Sequence, residues 1–266
     1  KFGGTSVGSP AAIRQSAAIV HSQKSTWENV VVVVSAMSGI TDKLILSASQ
    51  AAQGDGEGMQ ASLAAISSLH QQAIAELIPA VQERALLMSN VQQRLDELTT
   101  YCHSIQVLGE VTPRGMDVIS SMGERMNAEI VAVVLRSMAV PAQAVEASQC
   151  IVTDSTFQNA APDMAASREK TQKVMLPLFH QGFVPVVTGF MAANRAGVIT
   201  TLGRGGSDYS AAILADCLDA DELWIWTDVD GVLSADPRVV PDARPIAEIS
   251  FAEVGELAYF GAKAQS

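Results

Sequence analysis

Five consecutive valines, at positions 30–34, constrain the fold more than any other segment. A β-branched run without polar alternation suits a strand covered on both faces, as in a parallel sheet between helical layers. It feeds the hydroxyl-rich loop 35–42 and then a helix predicted from Lys43. Strand and helix signals alternate from there on, so the chain reads as α/β with a mostly parallel sheet. Asp55-Gly56-Glu57-Gly58 marks a loop, and helices are predicted over about 60–78 and 80–108, separated by Pro79. In the second of these, Met88, Val91, Leu95, Leu98, Cys102 and Ile105 recur in steps of three and four. That is one apolar stripe, and packing within the domain is preferred to an interface role for it.

Further helices are predicted over about 115–138, 163–181 and 207–218. Strands are predicted at 144–145, 150–152, 183–188, 197–201 and 222–227. No internal repeat, low-complexity tract or clear linker interrupts the pattern. One domain with two lobes is expected, the first to about residue 190 and the second over 191–266.

The 266 residues carry a net charge of -11. A nucleic-acid backbone is therefore a poor partner, although a few cations converging on one site would still hold a nucleotide. Only six lysines are present, so the position of each carries information. Cys102, Cys150 and Cys217 lie far apart and form no metal-ligand spacing with the four histidines. Buried thiols in a reducing cytoplasm are expected. No apolar run approaches the length of a membrane span, and no signal peptide precedes the first strand. The chain opens inside a strand at Lys1-Phe2 without an initiator Met, so a few further residues are expected upstream.

Four segments share one design: a strand ends, small residues follow, and a helix begins. Backbone N–H groups exposed at such turns bind anions. The first is Lys1-Phe2-Gly3-Gly4-Thr5-Ser6, where the glycines admit a phosphate and the lysine stands at the strand end. It is not a Walker A loop, and no G-x-G-x-x-G stands in a strand–helix setting. The second is the loop 35–41, placed where open α/β sheets bind ligands, although helix capping by Thr41 or Asp42 explains its hydroxyls equally well. The third, Leu202-Gly203-Arg204-Gly205-Gly206-Ser207-Asp208-Tyr209-Ser210, is the most specific. An arginine held between glycines makes a two-pronged carboxylate clamp. The fourth, Trp226-Thr227-Asp228-Val229-Asp230-Gly231 with Asp236-Pro237-Arg238, lacks the acids of a calcium loop and suits a nucleotide better. Asp228 is placed to accept from a ribose hydroxyl and Arg238 to pair with phosphate. Glu124 begins a helical stretch and is a candidate for a substrate ammonium. Lys263 follows the apolar-patterned stretch 254–260; alone, each of these two reads as a surface residue.

Together, K-F-G-G-T-S, S-x-x-x-G-I-T, G-E, T-G-F, L-G-R-G-G-S-D-Y, W-T-D-V-D-G, A-D-P-R and Y-F-G-A-K span nearly the whole chain. In that order they closely resemble the aspartate kinases of the amino acid kinase superfamily. The helical pair between Thr41 and Glu124 resembles the longer, homo-oligomeric members. The resemblance implies a three-layer α/β/α sandwich around a largely parallel sheet, plus that inserted pair. It implies transfer of the γ-phosphate of ATP, with Mg²⁺, to the side-chain carboxylate of L-aspartate, in a cytoplasmic homo-oligomer. It implies that Lys1 bridges the transferring phosphate, with Gly3 and Gly4 beside it. Thr41, Glu124, Arg204 and Ser207 hold aspartate, Glu124 taking the amino group and Arg204 the α-carboxylate. Asp208 organises the lysines. Thr227, Asp228, Arg238 and Lys263 hold ATP, with Leu233 where the family usually has a tyrosine. No separate protein metal site is expected. Beyond Lys263 the chain departs from the family's V-L-H-P, and its ACT regulatory domains have no counterpart in these residues. Another carboxylate substrate, or a catalytically silent nucleotide-binding module, remain the alternative readings.

Overall fold

The computed structural model describes residues 1–227, 231–235, 240, 242–250 and 252–254. The chain divides into two compact units, Lys1–Ile225 and Trp226–Ser266.

In the first unit, β1 (Val32–Val34), β4 (Val184–Thr188) and β2 (Ala142–Val145) form an all-parallel sheet in the order β1-β4-β2. Phe2 adds a parallel bridge to Val34, which carries the sheet towards the start of the chain. The valine run packs on both faces. Val32 and Val34 enter a core with helices α1 (Pro10–Gln23), α2 (Ile40–Ala52), α3 (Gly56–Leu77), α4 (Val81–Leu108), α5 (Pro113–Ser120) and α6 (Met122–Ser137). Val33 enters a second core with α7 (Met164–His180) and α8 (Gly206–Cys217). Successive strand residues point to opposite faces, so an unbroken apolar run demands this helix–sheet–helix layering. A second, small sheet pairs β3 (Val152–Thr153) in parallel with β5 (Met191–Asn194), which pairs antiparallel with β6 (Ile199–Thr201).

The α4 stripe turns inward: Val91, Leu95, Leu98, Cys102 and Ile105 are buried with Leu87, while Met88 is partly buried against the same core. The helix expected over 115–138 is two helices that meet at Ser121. There the Ser120 and Ser121 hydroxyls donate back to the Asp117 and Val118 carbonyls, and such local bonds compete with the helix ladder. The loop expected at 55–58 is mostly the first turn of α3, capped by the Asp55 carboxylate on the Gly58 N–H. A strand and an α-helix were among the elements not foreseen. Strand β5 hides in Met-Ala-Ala-Asn, which has little β propensity and is held by pairing with β3 and β6 and by burial of Met191 and Ala192 in the second core. Helix α1 had a legible start, Ser9 capping ahead of Pro10.

The strand expected at 222–227 does not form; these residues hold no more than a single bridge position. Leu223, Trp224 and Ile225 are 37–42% exposed, without the two-sided burial that stabilises β1. The Lys1 backbone nitrogen does reach the Trp224 carbonyl at 2.6 Å.

In the second unit, Leu233 bridges Pro245 antiparallel, flanked by Ser234 N–H to Arg244 O and Ile246 N–H to Val232 O. Ser250 and Glu253 form a reciprocal capping box. Among the described residues, no helix is long and apolar enough to cross a membrane.

Candidate active site

Four turns gather at the carboxyl ends of the parallel strands, the position at which open α/β sheets bind ligands. The segment beginning at Lys1 lies beside β1, with the Phe2 N–H bonded to Val33 O and the Ser35 N–H to Phe2 O. Gly8 sits so close to the 35–40 loop that a Cβ there would lie 2.8 Å from Ser38 Cβ. The Gly189 N–H bonds to Val34 O, drawing the Thr188-Gly189-Phe190 turn alongside. That turn supports the glycine-arginine loop: a Cβ on Gly189 would lie 2.6 Å from Ser207 Oγ. Helices α2 and α8 leave their loops through glycines in the left-handed region, Gly39 (φ 73°) and Gly205 (φ 71°). A side chain disfavours that conformation, so glycine at these two positions is what the turns require.

Within this arrangement Lys1 and Asp208 meet. Lys1 Nζ lies 2.5 Å from Asp208 Oδ1, and the two side chains are 9% and 16% exposed. Asp208 stands in the first turn of α8, where the helix dipole also favours a negative charge. The pair joins the start of the chain to α8 and fixes the lysine ammonium at the strand ends. Ser207 is half-buried beside it, while Arg204 is exposed and in no ion pair among the described residues.

Glu124, in the first turn of α6, is the electrostatic anomaly. It is 3% exposed, and its Oε2 has no hydrogen-bond partner among the described residues. Burial raises its pKa from 4.5 to about 8, against the opposing effect of the Ala36 backbone N–H, which donates to the carboxyl group. An acid buried without a counter-charge is costly, and it becomes favourable when a cation enters. Ala36 belongs to the 35–40 loop, so Glu124 faces the same strand ends as Lys1. Thr41, half-buried in the first turn of α2, follows that loop directly.

The structure thus brings Lys1, Gly3, Gly4, Thr41, Glu124, Ser207 and Asp208 to the strand ends, with Arg204 on the adjoining turn. Thr227 and Leu233 belong to the second unit. Asp228, Arg238 and Lys263 lie outside the described residues.

Sequence reasoning missed Asp117, fully buried in α5. Its carboxylate accepts from Gln158 N–H at 3.0 Å, Thr201 N–H at 3.1 Å and Thr201 Oγ1 at 2.8 Å. Burial raises its pKa, and these donors work against the rise. It ties α5 to the end of β6 and so to the start of the glycine-arginine loop. A lone acid between apolar Met116 and Val118-Ile119 was the available signal. Among the described residues, no three His, Cys, Asp or Glu side chains cluster to hold a metal.

Comparison with known proteins agrees with this geometry. Residues 1–264 match the Amino acid kinase family. The chain is 37% identical to lysine-sensitive aspartokinase 3 of Escherichia coli over 99% of its own length and 56% of the relative's. It is 34% identical to an aspartokinase of Schizosaccharomyces pombe, over 99% of the chain and 51% of that protein. The crystal structure of E. coli aspartokinase III in complex with aspartate and ADP superposes with a TM-score of 0.89 at 36% identity, covering 99% of this chain and 56% of that one. The chain spans about half the length of these relatives. The matching family model, the layered parallel sheet and the strand-end site agree: the chain belongs to the amino acid kinase family.

Proposed function

We propose that this chain is the catalytic domain of an aspartate kinase, forming 4-phospho-L-aspartate from L-aspartate and ATP. The observation that carries the reading is the Lys1–Asp208 ion pair at the strand ends, with the cation-seeking Glu124 reached from the same loops. A side-chain carboxylate is already a nucleophile, so the reaction needs no general base. One carboxylate oxygen forms a bond to the γ-phosphorus as the bond to the β,γ-bridging oxygen breaks, and ADP leaves with that electron pair. The difficulty is to hold two anions in line and to stabilise the charge spread between them. Lys1 serves as the fixed positive charge at the transferring phosphate, with Gly3 and Gly4 N–H groups beside it. Asp208 aims that lysine. Glu124 takes the substrate ammonium, Arg204 its α-carboxylate, and Thr41 and Ser207 complete the aspartate site.

By resemblance to the family, Thr227, Asp228, Leu233, Arg238 and Lys263 are the proposed nucleotide ligands. Mg²⁺ fits this reading as an ion carried by the triphosphate, neutralising phosphate charge, with phosphate oxygens and water as ligands. One domain with a substrate lobe over about 1–190 and a nucleotide lobe over 191–266 is the matching organisation, in a cytoplasmic homo-oligomer.

The test is ADP release with the acyl phosphate trapped by hydroxylamine, using aspartate, glutamate and acetylglutamate in turn. Hydroxamate should form with aspartate and be lost in Lys1→Ala, which should still bind ATP. Hydroxamate from glutamate or acetylglutamate instead would move the substrate assignment. ATP binding without any hydroxamate would favour a silent nucleotide-binding module.

A further inference from the structure

Arg125, the residue after Glu124, belongs to an open chain of ion pairs, Arg125–Glu146–Arg94–Glu129, on another face of α6. Consecutive helical residues point about 100° apart, so Glu124 and Arg125 serve different surroundings from one turn. Arg125 Nη2 donates to Glu146 Oε2 at 3.0 Å. The other oxygen of Glu146 accepts from Arg94 Nη2 of α4 at 3.1 Å. Arg94 Nε in turn donates to Glu129 Oε1 at 2.9 Å, and Glu129 lies one turn beyond Arg125 on α6. Glu146 follows β2 directly, and β2 is paired to β4, so the chain of ion pairs is anchored in the parallel sheet.

From the core side the first turn of α6 is held by the buried Met122, Gly123 and Met126, and these ion pairs hold its other face. Ser121, the residue ahead of the helix, makes no side-chain capping bond. Beyond these pairs, Asn127 Nδ2 donates to Ser35 O at 2.7 Å. On the outer side, a cavity of about 530 Å³ is lined by Arg94, Arg125, Glu129 and Glu146 among others. Burial acts to lower the pKa of Arg94, but Glu129 and Glu146 outweigh it and raise the value. Each of the four side chains is 13–25% exposed, dry enough for the pairs to exceed ordinary surface ion pairs.

We propose that Glu146 is a positioning residue: by holding Arg125 and Arg94 it sets the pose of the first turn of α6, and with it the aim of the Glu124 carboxylate at the substrate ammonium. This rests on the aspartate-kinase reading above and adds a residue that touches no substrate.

The test compares Glu146→Gln, Glu146→Asp and Glu124→Gln by steady-state kinetics and thermal unfolding. Glu146→Gln should raise the aspartate KM about tenfold with the ATP KM nearly unchanged, because small misplacements of an aligned group are costly. Glu146→Asp, which keeps the charge, should recover part of that loss. A lowered melting temperature without the split in KM, or equal changes in both KM values, would overturn the proposal. If Glu124→Gln raises the aspartate KM and Glu146→Gln does not, the positioning role falls alone. If neither variant does, the assignment of Glu124 falls with it. Should Glu146→Gln not fold, Arg125→Gln carries the same comparison, since Glu146 then keeps Arg94 as a partner.

Discussion

Glu124 makes the unliganded protein less stable at neutral pH than it would be without a carboxylate there. Its pKa is raised by burial from 4.5 to about 8. Between those values the folded state holds a proton that the unfolded chain releases, so its contribution to stability is full below about pH 4.5 and falls as pH rises to about 8. Glu124→Gln removes that loss. Without ligands, the variant should melt close to the parent near pH 4.5 and about 5 °C or more above it near pH 8. Thermal unfolding across that range checks this; a gap that is independent of pH would contradict the electrostatic account. The expected cost is function, because the same carboxylate is the proposed ammonium ligand. The sequence showed Glu124 only as an acid in a G-E pair at a helix start. Its meaning comes from burial against the Ser35–Ile40 loop, which lies far away along the chain.

At the level of elements, packing of one turn against another sets the site. Gly189 ends β4 and supports the start of α8 so closely that an added Cβ would lie 2.6 Å from Ser207 Cβ and 3.0 Å from its Cα. Backbone must then move, not merely a side-chain tip. Gly189→Ala should destabilise by about 1–3 kcal/mol. By shifting Asp208 away from Lys1 it should also lower turnover by about a hundredfold. Denaturant unfolding and steady-state kinetics read the two effects separately. Full turnover would mean that α8 is not placed by this contact. Strong, regular elements such as α4 and the valine strand were legible because their apolar periodicity is local. Strand β5 was not, since Met-Ala-Ala-Asn becomes a strand only when β3 and β6 supply hydrogen-bond partners on either side. The break at Ser121 was equally hidden, because an uninterrupted amphipathic pattern does not reveal two serine hydroxyls turning back on the ladder.

Over the whole first unit, apolar layers enclose the sheet on both faces, and all three cysteines fall inside them. Cys102, Cys150 and Cys217 are free and fully buried. Burial raises all three thiols, Cys150 to about 12. A thiol reagent near pH 8 should label none rapidly in the native protein and three per chain in denaturant. A fast-reacting thiol in the native state would show that one of these layers opens.

By itself the sequence determined the α/β class, the position of three of the four strand-end turns, and the family to which the turns belong. These follow from local rules: unbroken β-branched runs need two-sided cover, and glycine-rich turns follow from backbone sterics. Only the tertiary structure decided which distant residues act together. The contact of Lys1 with Asp208, the burial of Glu124 with no counter-charge among the described residues, and the Arg94–Glu146–Arg125 bridge all join residues from separate segments. Desolvation and ion pairing depend on distances in space that no local pattern encodes. The valine run that marks the sheet in the sequence therefore places the site, and the packing around it sets the charges there.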